Sequence, residues 1–145
     1  MSRTTRGPDR SAPQVSPRRW LIDGMNVIGS RPNRWWNDPD GAVRELIEEL
    51  DRYAAATDED ITVVFDRRLP GRPPDFQSAL KVVFASWRGR NAADHEIVRI
   101  VAADPASNSI RVVTSDRRLG ERVRELGGTV TSSMWFRRRL TETLG

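Results

Sequence analysis

The sequence has no cysteine. That absence removes a disulfide scaffold, a thiolate zinc site and a cysteine nucleophile together. It has a single histidine, His95, which excludes a nuclease mechanism built on two histidines. Long apolar runs are missing as well: none approaches the roughly 20 residues needed to cross a bilayer. The opening Met1-Ser2-Arg3-Thr4-Thr5-Arg6 has no apolar core of a secretory leader. The expectation is a cytoplasmic protein with no membrane partner. Hydrophobic residues make up 37% of the 145, low for a globular chain, but the polar excess gathers in the amino-terminal stretch and the loops. Lysine is almost absent: of the 24 basic residues only Lys81 is lysine. Guanidinium groups suit phosphate and stack on bases. Biased codon usage would produce the same excess, so composition alone does not establish a nucleic-acid partner.

A chain of this length makes one domain with a real core. Residues 1–17 hold three prolines, scattered arginines and almost no apolar periodicity, the pattern of a disordered basic tail. The domain then spans 18–145. Trp20-Leu21-Ile22-Asp23 reads as a buried strand ending in an acid, followed by a glycine turn at Gly24 and a loop over 29–37. Asp38 caps a helix with Pro39 at its first position. Val43, Leu46, Ile47, Leu50 and Ala54 give that helix an apolar face to about Ala56. Ile61–Phe65 is a second strand ending at Asp66, residues 67–78 a proline-rich basic loop, and Lys81–Ala85 a third strand. A helix from about Ala92 to Ala103 stops at Asp104-Pro105. The fourth strand runs from Ile110 and reaches Asp116. Leu119, Val123 and Leu126 mark a helix closed by Gly127-Gly128. Thr129–Thr131 is a fifth, short strand, and Phe136, Leu140 and Leu144 share a face of a last helix. Strands alternating with helices imply βαβ units: an α/β fold whose parallel sheet is covered on both faces.

Three β-branched runs end in aspartate, at Asp23, Asp66 and Asp116. Carboxyl ends of strands are where open α/β sheets place their ligands, and acids gathered there suit a divalent metal and phosphodiester hydrolysis. A turn aspartate bonding its own backbone explains any one of them, and Asp116 is also placed to cap the following helix. Asp94 joins by a different argument. It shares a helix face with Ile97, Val98 and Val101, which aims a carboxylate along the apolar stripe towards the same rim. The helix dipole favours an acid near a helix start, but not on the buried face. Asn26 either caps a turn or offers its amide oxygen to a metal or water. His95 projects about 100° from Asp94 and faces solvent.

Arginines fringe each acid: Arg67 and Arg68 after Asp66, Arg88 and Arg90 before Asp94, Arg117 and Arg118 after Asp116. Acids at the centre need a cation, and arginines at the edge suit phosphates. Arg34, Trp35 and Trp36 are placed to stack bases at the same rim, although packing of the loop over the core accounts for at least one of the two tryptophans.

Taken in order, Asp23-Gly24-Met25-Asn26, Val63-Val64-Phe65-Asp66, Ala93-Asp94-His95-Glu96-Ile97 and Val113-Thr114-Ser115-Asp116 resemble the NYN domain, in its YacP-like bacterial branch, a family of the PIN-like ribonucleases. The resemblance covers about residues 19–140. It implies a Rossmann-like sheet in the order 3-2-1-4-5, with the first strand central and an acidic pocket for Mg²⁺ or Mn²⁺. By position Asp23, Asp94 and Asp116 match the family's acids and metal ligands, Asn26 its asparagine and Asp66 its second-strand acid. Where many relatives have an acid just before the Ala-Asp pair, this chain has Asn91-Ala92.

The expected activity is therefore metal-dependent hydrolysis of RNA, whether mRNA, tRNA or rRNA, free or on the ribosome, with Asn26 orienting the water or the phosphate. The rival is a PIN-like module that binds RNA or the ribosome without cutting. Phosphatase and phosphotransfer readings fail on the residues. Met25 stands where a haloacid-dehalogenase enzyme needs its second aspartate, and the acidic pair and late lysine of a receiver domain are missing.

Overall fold

A computed structural model describes residues 19–71, 75–85, 89 and 91–145. The tail expected over 1–17, and Arg88 and Arg90, lie outside those residues. Five strands form one sheet: β1 (Arg19–Asp23), β2 (Asp60–Phe65), β3 (Lys81–Phe84), β4 (Ile110–Val113) and β5 (Thr129–Thr131). All neighbours run parallel, in the order β3-β2-β1-β4-β5. The expected 3-2-1-4-5 arrangement, with the first strand central, is the one observed. Ile22 pairs across to Val63 on one side and Val113 on the other.

Helices cover both faces, which is why the strands are short, nearly continuous apolar runs. Trp20, Ile22, Ile61, Val63, Phe65 and Val113 share a cluster with α1 (Gly24–Gly29), α2 (Pro39–Thr57) and α5 (Ser133–Leu144). Leu21, Val64, Ile110 and Val112 face the other way, against α3 (Ala92–Ala103) and α4 (Arg117–Glu125). Among the described residues no helix is long and apolar enough to cross a membrane.

Local signals set most boundaries. Asp38 caps α2 by accepting from Gly41 N–H at 3.0 Å, with Pro39 following it in the first turn. At the other end α4 stops at Gly127, whose φ of +95° suits glycine. Two elements differ from expectation. The turn expected after Asp23 is a short helix, α1; six residues are too few for periodicity to reveal, although Val27 and Ile28 are buried. The fourth strand ends at Val113, short of Asp116. Thr114 N–H still bonds Thr131 O at 3.0 Å, but the Thr114 hydroxyl then accepts from Asp116 N–H at 3.1 Å and turns the chain out of the sheet.

The amino pole of the sheet is closed by a polar knot. Trp20 Nε1 and Tyr53 Oη both donate to Glu59 Oε1, at 2.7 and 2.8 Å, while Arg139 Nε donates to the Tyr53 oxygen at 2.7 Å. Burial, with Glu59 beside it, pushes the Tyr53 phenol up to about 12.

Candidate active site

The carboxyl rim collects the four acids. Asp23 is the last residue of β1 and is on the same side of the sheet as Leu21, under α3 and α4. Only 6% of it is exposed. Its Oδ2 accepts from the Thr114 hydroxyl at 2.9 Å, and Asn26 N–H also bonds the carboxylate. Burial raises its pKa from 3.8 to about 7 against the pull of those donors, and the charges of Asp94 and Asp116 add to the rise. Asp94, half-buried in the first turn of α3, is raised by burial and then by Asp116 and Asp66; Arg122 and His95 pull it down. Asp23, Asp94, Asp116 and Asp66 thus form one electrostatically connected group.

Asp116 caps α4, its Oδ1 accepting from Leu119 N–H at 3.1 Å, and its charge still reaches Asp23 and Asp94. Asp66 follows β2, half-buried, and acts on Asp94 by its charge alone.

Asn26 Oδ1, left by the sequence either to cap a turn or to meet a metal or water, accepts from Ser115 N–H at 2.9 Å and from the Ser133 hydroxyl at 2.6 Å. Ser133 N–H in turn donates to Ser115 Oγ at 3.0 Å. The amide oxygen is therefore a tie between α1, the loop after β4 and the start of α5, and the amide NH₂ is the part left for a ligand. Thr114, Ser115 and Ser133 hold the rim together, in roles that no local sequence pattern marks. Thr114 and Ser115 lay inside a quoted motif; Ser133 carried no signal, since only the tertiary fold brings α5 to α1.

Gly24 is required by a close approach: a Cβ there would be 2.4 Å from the Phe65 ring. The glycine thus admits an aromatic side chain of β2.

The basic fringe divides. Arg67 is paired with Asp40 at 2.8 Å, at the start of α2. Arg34, Arg68, Arg117 and Arg118 are exposed. Of the tryptophans, Trp35 packs on the core, and Trp36, edge-on to it at 6.0 Å, is 60% exposed. Of the two rings placed to stack bases, Trp36 is thus the one left open to solvent. Between α3 and α4 lies a cleft of about 380 Å³ lined by Asn91, Asp94, His95, Asp116, Arg118, Leu119 and Arg122. Arg122 was not anticipated, although it falls one turn after Arg118.

The residues fit a hard divalent cation in charge and donor type: buried or half-buried carboxylate oxygens, with no described basic side chain in ion-pair contact with Asp23, Asp94 or Asp116. Among the described residues no three acids or histidines are drawn together as a ready-made metal cage. Mg²⁺ accepts that, since it keeps several waters and takes only one or two carboxylates directly.

Residues 20–144 match the family model of the YacP-like NYN domain. The chain belongs to the YacP-like NYN family. That family has the PIN-like nuclease fold and is related to RNA. Two crystal structures of Rae1 (YacP) from Bacillus subtilis share the fold. A tryptophan-to-leucine mutant superposes with a TM-score of 0.70 at 23% identity, covering 87% of this chain and 76% of that one. The other superposes at 0.68 and 23% identity, covering 86% and 74%. No curated protein matches the chain. In this NYN domain the family's fold places the quoted motifs at one rim, and the hydrogen bonds around Asp23 and Asn26 fix that rim internally.

Proposed function

We propose that this protein is a divalent-metal-dependent endoribonuclease acting on cytoplasmic RNA. The observation that carries the reading is the buried Asp23 carboxylate, raised to about 7, next to Asp94 and Asp116 with no described basic residue in ion-pair contact. A structural role alone leaves such a charge destabilising; a function that needs negative charge there explains it.

Asp23, Asp94 and Asp116 would hold Mg²⁺ or Mn²⁺, which when bound supplies charge neutralisation and a water of lowered pKa. The protein's own residues do the rest. Thr114 and the Asn26 N–H fix the Asp23 carboxylate in one orientation. The Ser115 and Ser133 bonds immobilise the Asn26 amide so that its NH₂ can donate to a phosphate oxygen. Asp66 supports the charge of the group from the next strand. Arg68 and Arg118 face solvent at the rim, where guanidinium groups can hold the polyanion, and Trp36 presents a ring to an unpaired base.

The test is cleavage of a labelled RNA with Mn²⁺ and with chelator. Wild type should cut only with the metal, and Asp23→Asn, Asp94→Asn and Asp116→Asn should each lose at least a hundredfold in rate while binding RNA. Tight binding by wild type without cleavage under any divalent metal would assign the chain instead to a non-catalytic module that grips RNA or the ribosome.

A further inference from the structure

The cleft between α3 and α4 has walls of opposite character. The α3 wall carries Asn91, Asp94 and His95; the α4 wall carries Arg118 and Arg122 beyond Asp116, with Leu119 between them. Asn91 stands at the N-cap of α3, yet its side chain makes no capping bond, so its amide is left to the cleft. Arg118 and Arg122 lie one helical turn apart on α4, about 6 Å between their Cβ atoms, comparable to the spacing of neighbouring phosphates on a single strand. Neither guanidinium makes a hydrogen bond or ion pair with a described residue, unlike those of Arg19, Arg31, Arg67, Arg99 and Arg139, which are each paired with an acid. Arg122 is nevertheless near enough to Asp94 to depress its pKa. A cation that approaches a catalytic acid without closing an ion pair is placed for a third charge, and the polyanion of the proposed reaction supplies one.

We propose that this cleft is the seat of the phosphates flanking the bond to be cut, with Arg122 and Arg118 gripping successive phosphates of a single-stranded segment. This rests on the ribonuclease reading for the location of the cut, but the grip itself does not depend on cleavage. Arg122 then has opposite effects on the two ligands of the rim. It attracts RNA and, as a like charge beside Asp94, opposes a divalent cation. A merely structural arginine has neither effect, and a simple counter-ion of Asp94 has only the second.

The probe is a short fluorescein-labelled oligouridylate, titrated in chelator over a range of salt, with Mn²⁺ titrated separately by thermal shift. Arg122→Ala should weaken the oligonucleotide by about three- to tenfold at low salt. It should also make the slope of log affinity against log salt shallower by about 0.7, the single-strand value for one phosphate contact. Arg118→Ala together with Arg122→Ala should double that change. Arg122→Lys should keep most of the slope. Arg124→Ala, which removes the same charge from the same helix outside the cleft, should change it by less than half as much. The Mn²⁺ concentration at half-saturation should fall in Arg122→Ala. An unchanged slope in Arg122→Ala, or equal slope changes in the Arg122 and Arg124 variants, would overturn the proposal, as would a rise in the Mn²⁺ requirement. Failure of the wild type to cleave with Mn²⁺ would instead sink the ribonuclease reading and leave the binding result standing.

Discussion

Replacing Asp23 with asparagine keeps the shape of the side chain and removes its charge, so it isolates the electrostatic cost of the rim. The Asp23 pKa is raised from 3.8 to about 7. At about 1.4 kcal/mol per pH unit, the ionised carboxylate costs the folded state up to about 4 kcal/mol above pH 7. The sign follows from proton uptake. Between pH 4 and 7 the folded chain holds a proton that the unfolded chain has released, so stability falls as pH rises through that window and the cost is absent below it. Asparagine avoids the cost but weakens the bonds from the Thr114 hydroxyl and the Asn26 N–H, by about 1–2 kcal/mol together, and it has its own amide to bury. The net gain expected in chelator at pH 8 is about 1 kcal/mol, or about 4 °C for a chain of this size. At pH 5, where wild-type Asp23 is protonated, the gain should vanish or reverse. Mn²⁺ at a hundredfold excess over its dissociation constant should then stabilise the wild type by about 2.7 kcal/mol, with little effect on the variant, so that the order inverts. Thermal unfolding at both pH values, with and without Mn²⁺, measures all of this. An Asp23→Asn variant that melts lower than wild type by the same amount at pH 5 and pH 8, with no response of either protein to Mn²⁺, would refute the reasoning.

Other substitutions probe the supports of the rim. Gly24→Ala places a methyl 2.4 Å from the Phe65 ring and should cost about 1–3 kcal/mol by overpacking; Phe65→Leu should recover part of it, as read by denaturant midpoints. Asp51→Ala removes the acceptor for Gln77 N–H, Ser78 N–H and the Ser78 hydroxyl. Leaving them unpaired should cost about 2–4 kcal/mol, and hydrogen exchange should be faster first at residues 77 and 78. Trp36→Ala should weaken single-stranded RNA by about 1–3 kcal/mol at unchanged melting temperature, whereas Trp35→Ala should lower the melting temperature. Equal effects of the two would contradict the division between packed and exposed rings.

Apart from α1, the order of elements was legible because each is marked locally. Continuous β-branched runs gave the strands, the Asp38-Pro39 start and the 43–54 periodicity gave α2, and Gly127-Gly128 gave the end of α4. A parallel sheet follows from that alternation, because parallel neighbours need a crossover and the helices supply it. The acids at strand ends were legible for the same reason: in such a sheet every strand ends on one rim. What no local pattern carries is which partner a side chain meets. Asp94 and Asp51 give the same signal, a carboxylate on the apolar face of an amphipathic helix. Asp94 sits in the first turn of its helix and comes up beside Asp23 and Asp116; Asp51 sits mid-helix and bonds the loop before β3. Only the packing of α2 against residues 77–78 separates them. Likewise Asn26 and Ser133 are far apart in the chain, and their bond exists because α5 returns across α1. The sequence by itself determined the sheet, its order of elements and the rim on which the acids gather, because periodicity and turn chemistry act over a few residues. Tertiary structure decided which acids are buried without an ion pair and which of the described arginines are paired, because desolvation and ion pairing depend on neighbours that only the fold supplies.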